Sequence, residues 1–345
     1  MIYLFGCKLS AVAARRVFRL CAQFRKERGL MKTVKYPEEL IGRTAEGRCV
    51  LALGFFDGVH LAHRQLLAMA KAKAEELSLP LAVFTFASEG GGLKRDAVRL
   101  YTTEQKLSIL ESVGVDITYL VSFQAVSGLS PEDFIKRVIA EELQAEVAVC
   151  GYNFRFGKGA SAGAAELSAG LRALGRECII LPEYRYLGMP LSSSYIRALL
   201  AKGDARQASA ALGVPYFVEG EVLHGDKRGS ELGIPTVNIP LNTGEELLRR
   251  GVYATAVYID ARRYPAISNV GECPTFGSRA VHTETFIFGF SGDLYEKNVR
   301  VYFLDFIRDE MRFKDGNELI MQIEVDKIKA NKVYRETKWQ DYGLS

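Results

Sequence analysis

Apolar and polar positions in the first half of the chain form blocks that predict buried strands separated by helices. The runs Cys49 to Phe56 and Leu81 to Phe86 are almost continuously apolar, which is typical of strands buried on both faces of a parallel sheet. Further runs of this kind cover Ile117 to Phe123, Val147 to Cys150 and Cys178 to Leu181. Strands that alternate with helices predict a Rossmann-like, doubly wound α/β domain.

The segments between these runs carry helix signals. Arg64 to Leu77 is rich in Ala, Leu, Lys and Glu, and Ser130 followed by Pro131 predicts the start of a helix over Glu132 to Leu143. In a doubly wound sheet, ligands bind beyond the carboxyl ends of the strands. Residues that directly follow a predicted strand are therefore the first candidates for a site.

The pattern changes after Leu199 to Leu212, which is predicted to form two short helices around Gly203 and Asp204. Runs rich in β-formers with turn residues between them follow: Phe217 to Leu223, Val252 to Tyr258, Thr283 to Phe288 and Val299 to Phe306. They predict a small closed antiparallel β-barrel.

Asp315 and Glu318 have the spacing of a capping box and predict one last helix. Its apolar side is predicted to comprise Leu319, Ile320, Ile323 and Ile328, and the helix is expected to cover the barrel.

These patterns predict an extension over residues 1–31, a first domain over 32–213 and a second over 214–345. Residues 1–30 interleave arginines with apolar side chains, so they are either a basic amphipathic or targeting segment or a stretch upstream of the true start. We favour the second interpretation, because Met31 is a natural start and the domain pattern begins directly after it.

Composition narrows the class of protein. The 345 residues carry a net charge of +4, and no run of basic residues suggests a nucleic-acid partner. Six scattered cysteines without a C-x-x-C pair argue against zinc or a disulfide framework and for a reducing, cytoplasmic compartment. No apolar run approaches the roughly 20 residues that would span a membrane.

The stretch from Gly220 to Asn238 combines a glycine-bounded charged loop with hard oxygen ligands. Gly225 and Gly229 bracket a loop whose backbone N–H groups could turn toward an anion. Thr236 and Asn238 lie two apart on an extended segment, so they share a face and could hold Mg²⁺. A hairpin with a glycine turn and polar rim residues is the alternative.

This stretch resembles the pattern G-x-V-x-H-G-x-x-x-G-x-x-L-G-x-P-T-x-N of riboflavin kinases. The resemblance implies that Thr236 and Asn238 bind Mg²⁺. It also implies a set of residues that bind ATP or flavin: His224, Gly225, Lys227, Gly229, Gly233, Pro235, Asn269 in N-V-G-x-x-P-T-F, and Arg308 in R-x-E-x-x-F.

The same resemblance implies a catalytic base at Glu284. In the family pattern E-x-H-x-x-D-F, the glutamate takes the proton of the ribityl hydroxyl, which is a role suited to a carboxylate within hydrogen-bond reach. Phe286 and Gly289 replace the histidine and the aspartate of that pattern. An exposed strand glutamate without a catalytic role is the alternative.

His60 and His63 follow the first predicted strand, three residues apart at a helix start where N–H groups favour phosphate. Capping residues or a metal pair are the alternatives. The segment resembles F-D-G-V-H-x-G-H of the nucleotidylyltransferase superfamily, as found in the FMN adenylyltransferase half of bifunctional FAD synthetases. This resemblance implies that His60 and His63 are catalytic and that Gly54, Phe56, Asp57 and Gly58 bind ATP.

Two further segments are similar to that family. Asn153 lies in a segment resembling G-x-D-F-R-F-G, and Ser193, Ser194 and Arg197 lie in one resembling S-S-T-x-I-R, which implies contacts with ATP and its phosphates. The sequence departs from the family in four places. The loop from Gly157 to Gly163 lacks the arginine that is often found there. Ala62 replaces a glycine, Asn153 replaces an aspartate, and the P-H-P that usually follows the second strand is absent.

The resemblance covers residues 32–345 and implies a bifunctional riboflavin kinase and FAD synthetase. It implies riboflavin, FMN and ATP as substrates and Mg²⁺ as cofactor, with neither nucleic acid nor membrane as partner.

One alternative is a monofunctional riboflavin kinase with a degenerate first domain, which Ala62 and the lost P-H-P favour. A non-catalytic flavin-binding regulator is disfavoured by Thr236, Asn238 and Glu284. A cytidylyltransferase is disfavoured because it leaves the kinase motifs unexplained.

Overall fold

The computed structural model describes residues 30–40, 44–87, 98–223, 236–240, 247–260, 262–272 and 281–342. These residues divide into two compact units. The first unit holds the described residues up to 87 together with Thr103–Leu191. The second holds Val98–Thr102 and the described residues from Ser192 onward. The predicted boundary at 213/214 stays a prediction, and nearly all of the predicted extension lies outside the described residues.

The first unit contains a six-stranded parallel sheet in the order β1-β4-β3-β2-β5-β8, which confirms the predicted fold class. Every side chain of β2 is buried, as expected for a strand covered on both faces. The strands of this unit, including two short antiparallel pairs, are β1 Lys32–Tyr36, β2 Cys49–Leu53, β3 Leu81–Phe86, β4 Ile117–Val121, β5 Ala145–Gly151, β6 Arg155–Phe156, β7 Ala162–Gly163, β8 Glu177–Leu181, β9 Arg185–Tyr186 and β10 Met189–Pro190.

Helices connect the strands of this sheet, and Leu61–Leu77, Phe134–Glu142 and Ala164–Ala173 contact it directly. The helices are α1 Leu61–Leu77, α2 Thr103–Ser112, α3 Phe123–Ser127, α4 Pro131–Asp133, which continues as a π-helix over Phe134–Glu142, and α5 Ala164–Ala173, with 3₁₀ turns at Glu38–Leu40, Asp57–Val59 and Lys158–Ala160. The predicted start at Ser130 is confirmed, since its Oγ accepts a hydrogen bond from the Asp133 N–H at 3.0 Å and Pro131 follows it.

The second unit is an antiparallel six-stranded sheet in the order β11-β16-β13-β14-β15-β12, preceded by two helices and followed by one. The Leu223 N–H donates to the Asn238 carbonyl at 2.9 Å, and this bridge links the two edges of the sheet. The elements are α6 Ser193–Ala201, α7 Ala205–Leu212, β11 Tyr216–Glu221, β12 Thr236–Pro240, β13 Gly251–Ile259, β14 Arg262–Glu272, β15 Val281–Ile287, β16 Asn298–Arg308, α8 Gly316–Glu336 and a 3₁₀ turn at Trp339–Tyr342.

Helix α8 covers the barrel as expected. Asp315 Oδ1 accepts a hydrogen bond from the Glu318 N–H at 2.9 Å, and Ile323, Ala330 and Val333 pack against strand residues such as Val252. The assignment of Ile328 to the apolar side was wrong, because its side chain is 73% exposed. It lies five residues after Ile323, which is about 140° around the helix. No helix among the described residues is long and apolar enough to cross a bilayer.

Two candidate active sites

The first candidate site lies at the point where the parallel sheet changes its winding direction. Strand β2 pairs with β3 on one side and with β5 on the other, so the loops after β2 and β5 leave neighbouring strands. Gly54 begins the first loop, and Asn153 lies exposed in the second. A crevice beyond the strand ends at such a switch point is the usual ligand site in open α/β sheets.

The loop after β2 has a strained backbone. Phe56, Gly58 and Val59 have positive φ angles of 54°, 80° and 42°. A β-branched residue such as Val59 adopts this region only when its surroundings force it. Phe56, Asp57, Gly58 and Val59 are all buried, and the Thr85 hydroxyl donates to the Phe55 carbonyl at 2.8 Å. Packing and hydrogen bonding thus fix the loop in an unusual conformation.

This loop presents His60 and His63 as a stacked pair. Their ring centroids lie 3.7 Å apart with an interplanar angle of 15°, so the two histidines predicted to share a face do so. The His60 side chain makes no capping hydrogen bond to α1. The described residues contain no group of three His, Cys, Asp or Glu side chains placed to hold a metal ion. The geometry therefore favours neither a capping role nor a metal pair for these two histidines.

Both imidazoles are neutral at pH 7. Burial lowers the pKa of His60 to about 3, and the nearby Arg64 charge adds to this effect. Burial also lowers the pKa of His63 well below its ordinary value, with further contributions from His60, Lys106 and Arg64. The Nδ1 atoms of both rings are buried and lack a hydrogen-bond partner among the described residues. Each ring thus has a nitrogen free to form a hydrogen bond without the imidazole carrying charge.

Sequence reasoning missed Lys106, a cation on α2 that is only 1% exposed. It lies beside this loop and helps to lower the pKa of His63. Its position on the apolar face of the helix, ahead of the buried Ile109 and Leu110 at the i+3 and i+4 positions, was the available signal.

The predicted phosphate contacts on α6 belong to the second unit and are described on their own. Ser192 caps the helix, since its Oγ accepts a hydrogen bond from the Tyr195 N–H at 3.2 Å. Ser193 and Arg197 lie one helical turn apart on one face. Arg197 Nη2 donates to Ser194 Oγ at 2.9 Å, so the predicted arginine and hydroxyl residues are clustered.

The second candidate site is a row of polar side chains across three barrel strands. Glu284 on β15 pairs with Asn238 on β12 at one side and with Asn269 on β14 at the other. Residues directly opposite each other share a face, with Cβ atoms about 4.5–5.5 Å apart. Thr236 lies two residues before Asn238 on the same face. The register of the sheet thus brings together the predicted base and both predicted Mg²⁺ ligands.

Burial differs along this row. The Glu284 side chain is exposed, whereas Asn238 is 6% exposed and its Oδ1 has no hydrogen-bond partner among the described residues. A buried amide oxygen without a partner is costly, and a hard cation is a suitable ligand for it. Asn269 Nδ2 donates to Glu310 Oε1 at 3.4 Å.

Arg308, the predicted flavin-side residue, forms a buried ion pair with α8. Its Nε and Nη2 lie 2.9 and 2.8 Å from Oδ2 of Asp326, which is fully buried. Gln322 Nε2 donates to the other carboxylate oxygen at 2.9 Å. Asp326 was also missed from the sequence. Its position between Ile323 and Ala330 on the buried face of a helix could have indicated a buried carboxylate with a charged partner.

The other predicted ATP- or flavin-binding residues of the barrel lie outside the described residues: His224, Gly225, Lys227, Gly229, Gly233 and Pro235.

The chain is similar to known proteins in both of its halves. Residues 43–195 match the FAD synthetase family and residues 212–334 the riboflavin kinase family. The chain is 36% identical over 310 residues to the bifunctional riboflavin kinase/FMN adenylyltransferase of Bacillus subtilis, covering 87% of this chain and 97% of that protein. It is 30% identical over 313 residues to the protein of the same name from Escherichia coli K12, covering 89% and 99%.

Among solved structures, the chain is similar to a crystal structure described as a macrolide-efflux protein from Streptococcus pneumoniae. That similarity has a TM-score of 0.77 with 29% identity and covers 87% of this chain and 99% of that one. The curated relatives match over nearly their whole length and contain both matched domains. The chain therefore belongs to the bifunctional riboflavin kinase/FMN adenylyltransferase family.

Proposed function

We propose that the chain makes FAD from riboflavin in two successive reactions. The barrel transfers the γ-phosphoryl group of ATP to the terminal ribityl hydroxyl and gives FMN and ADP. The Rossmann-like unit then joins the FMN phosphate to the adenylyl group of a second ATP and releases pyrophosphate. Matches to both domain families support this proposal, as do the two clusters of polar side chains.

For the kinase step, we assign the base to Glu284, which removes the proton of the ribityl hydroxyl as its oxygen attacks the γ-phosphorus. Thr236 and Asn238 would hold Mg²⁺, and the buried Asn238 oxygen without a partner fits that role. Bound there, Mg²⁺ would neutralise phosphate charge. Glu310 lies beside Asn269, the β14 member of this row, and Arg308 helps to hold α8 against the barrel.

For the adenylyl step, an FMN phosphate oxygen attacks the α-phosphorus while the bond to the bridging oxygen of pyrophosphate breaks. His60 and His63, being neutral, act as hydrogen-bond donors to the α-phosphate rather than as charges. Donors that are already in place stabilise the transition state because they need no reorganisation during reaction. The stacked, buried imidazole pair at the switch point is the observation that carries this half of the proposal.

We place both reactions in a reducing, cytoplasmic compartment. The cysteines among the described residues, Cys49, Cys150 and Cys178, are free thiols, which agrees with that assignment.

Two assays test the proposal. Purified protein with riboflavin, ATP and Mg²⁺ should yield FMN and then FAD, separated by chromatography. In the second assay, FMN replaces riboflavin, and His60→Ala should form much less FAD than the wild type while its kinase activity persists. Unphosphorylated riboflavin would refute the kinase assignment. Kinase activity without FAD formation in the wild type would select the monofunctional alternative that Ala62 favours.

A further inference from the structure

Lys106 is a buried cation that the two proposed reaction schemes do not use. It lies on α2 with 1% of its surface exposed. Removing an ammonium group from water is costly unless polar groups replace the water. The groups around Lys106 must therefore compensate for the lost hydration of its ammonium group.

The ammonium group contacts the ends of two neighbouring strands. Lys106 Nζ donates a short hydrogen bond to the carbonyl of Phe86, the last residue of β3. It also lies 3.5 Å from the carbonyl of Phe55, two residues after β2, and 4.8 Å from the centroid of the Phe55 ring. One side chain thus ties the segments that leave β2 and β3 at the carboxyl edge of the sheet.

The Phe55 carbonyl accepts hydrogen bonds from two side chains, because the Thr85 hydroxyl also donates to it, at 2.8 Å. The strained turn over Phe56–Val59 begins at the next residue and ends at His60. Strained backbone persists only where surrounding contacts determine it. The contacts from Lys106 and Thr85 act at the start of this turn, and the position of the imidazole pair depends on its conformation.

We propose that Lys106 is a positioning residue of the adenylyl-transfer site, which holds the strained turn so that His60 and His63 face the nucleotide in a reactive geometry. This inference rests on the proposed FAD-synthesising function. Lys106 also fixes β3 at Phe86, directly before the place where the family pattern has P-H-P and this chain does not. The permanent charge of the ammonium beside His63 further helps to keep that imidazole neutral.

The test compares Lys106→Met, which keeps length but removes the donors, with Thr85→Val, which removes the other hydrogen bond to Phe55. Lys136→Met is the matched control, since Lys136 is exposed on the same unit. With FMN and ATP, Lys106→Met should lower kcat for FAD about 10- to 100-fold, as expected for displaced catalytic groups, with KM for FMN within about twofold. Thr85→Val should have a smaller effect in the same direction.

Coupling between the two contacts separates positioning from general destabilisation. Because both side chains hold one carbonyl, the double variant should lose less than the product of the two single losses. Riboflavin kinase activity should be unchanged in all variants, because that reaction is assigned to the second unit, and a wild-type-like thermal unfolding transition of the first unit reports that this unit is folded. Independent losses, or a loss confined to KM, would overturn the proposal. If Lys106→Met does not fold, a wild-type kcat in Thr85→Val overturns it as well.

A second readout does not depend on FAD synthesis. The chain has four histidines, so the ¹⁵N-labelled imidazole signals of His60 and His63 can be assigned with single variants. Lys106→Met should shift both signals and Lys136→Met should not. Unchanged signals would overturn the positioning role. FAD formation by the wild type tests the proposed function separately, so the two ideas can fail independently.

Discussion

The two candidate sites are built in opposite ways. In the first unit, the candidate side chains follow one strand of a parallel sheet, and His60 is 4% exposed at the end of the buried turn Phe56–Val59. In the second, Glu284 is exposed on a barrel strand and meets Asn238 and Asn269 through cross-strand pairing. One site depends on a buried loop held in strain, and the other depends on strand register.

This contrast explains how the residues of each site are distributed along the sequence. The residues of the first site, from Gly54 to His63, are nearly contiguous because a ligand site at the end of a parallel strand is formed by the loop that follows. The barrel residues come from three separate strands, β12, β14 and β15. Slipping β15 by one residue relative to its neighbours would turn Glu284 to the other face.

The largest difference between the two sites is expected when the proposed base of the barrel is removed. Glu284→Gln keeps the size of the side chain but not its proton affinity, so riboflavin kinase turnover should fall about 10²- to 10⁴-fold, the range of general-base catalysis. FAD formation from supplied FMN should be unchanged, because that reaction uses the other unit. Near-normal kinase turnover in this variant would show that the base lies elsewhere.

Much of the fold could be predicted from the sequence, because buried strands of a parallel sheet are apolar throughout. The bounds of β3 were predicted as the structure has them. Strand β1 was missed, since only Val34 and Tyr36 of its five residues are buried at the edge of the sheet. Strand β14 was also missed, because its two arginines and Pro265 interrupt the β-forming pattern.

The sites were less completely predictable. Motifs identified the histidine pair and Glu284, but the sequence could not give the pairing of Glu284 with Asn238 or the positive φ of Val59. Both depend on tertiary packing. For Lys106 and Asp326, the apolar helix face indicated burial, but the sequence could not give the partners on which their roles depend: the Phe86 carbonyl for Lys106 and Arg308 for Asp326.

A second prediction concerns the stability of the barrel unit. Asp326→Ala leaves the Arg308 guanidinium, 15% exposed, without its carboxylate, and breaking a buried ion pair costs about 3–5 kcal/mol of unfolding free energy. Trp339, the one tryptophan of the chain, packs near Tyr302 and Tyr334 and can report unfolding in denaturant. An undiminished midpoint would show that the pair contributes nothing.

The matched control for that experiment lies on the same helix. Glu324 pairs with Lys327 at 2.7 Å, but its side chain is 60% exposed. Glu324→Ala should therefore change the free energy of unfolding by no more than about 1 kcal/mol. A large effect of this control would mean that helix α8 is sensitive to any change of charge and that the Asp326 result is not specific.

The last prediction concerns the pH dependence of the first unit, whose buried histidines contrast with the exposed Glu284 of the second. Burial holds the pKa of His60 at about 3 and that of His63 well below its ordinary value, whereas both histidines of the unfolded chain titrate near 6.5. Between those values the unfolded chain binds more protons, so the first unit loses stability as pH falls below 6.5. Both histidines contribute to this loss, because each gains a proton in the unfolded chain at a pH where it stays neutral in the folded chain.

Imidazole signals from ¹⁵N-labelled histidine, recorded between pH 7.5 and 5, check this directly, with His60→Asn and His63→Asn for assignment. In the folded chain neither ring should gain a proton over that range, because protonation would place a charge in a buried site already beside the cations of Lys106 and Arg64. An apparent pKa near 6.5 for either ring would mean that the pair is solvated and cationic at mildly acid pH. The first site would then resemble the second in exposure, and its hydrogen-bond donors would depend on pH rather than on burial.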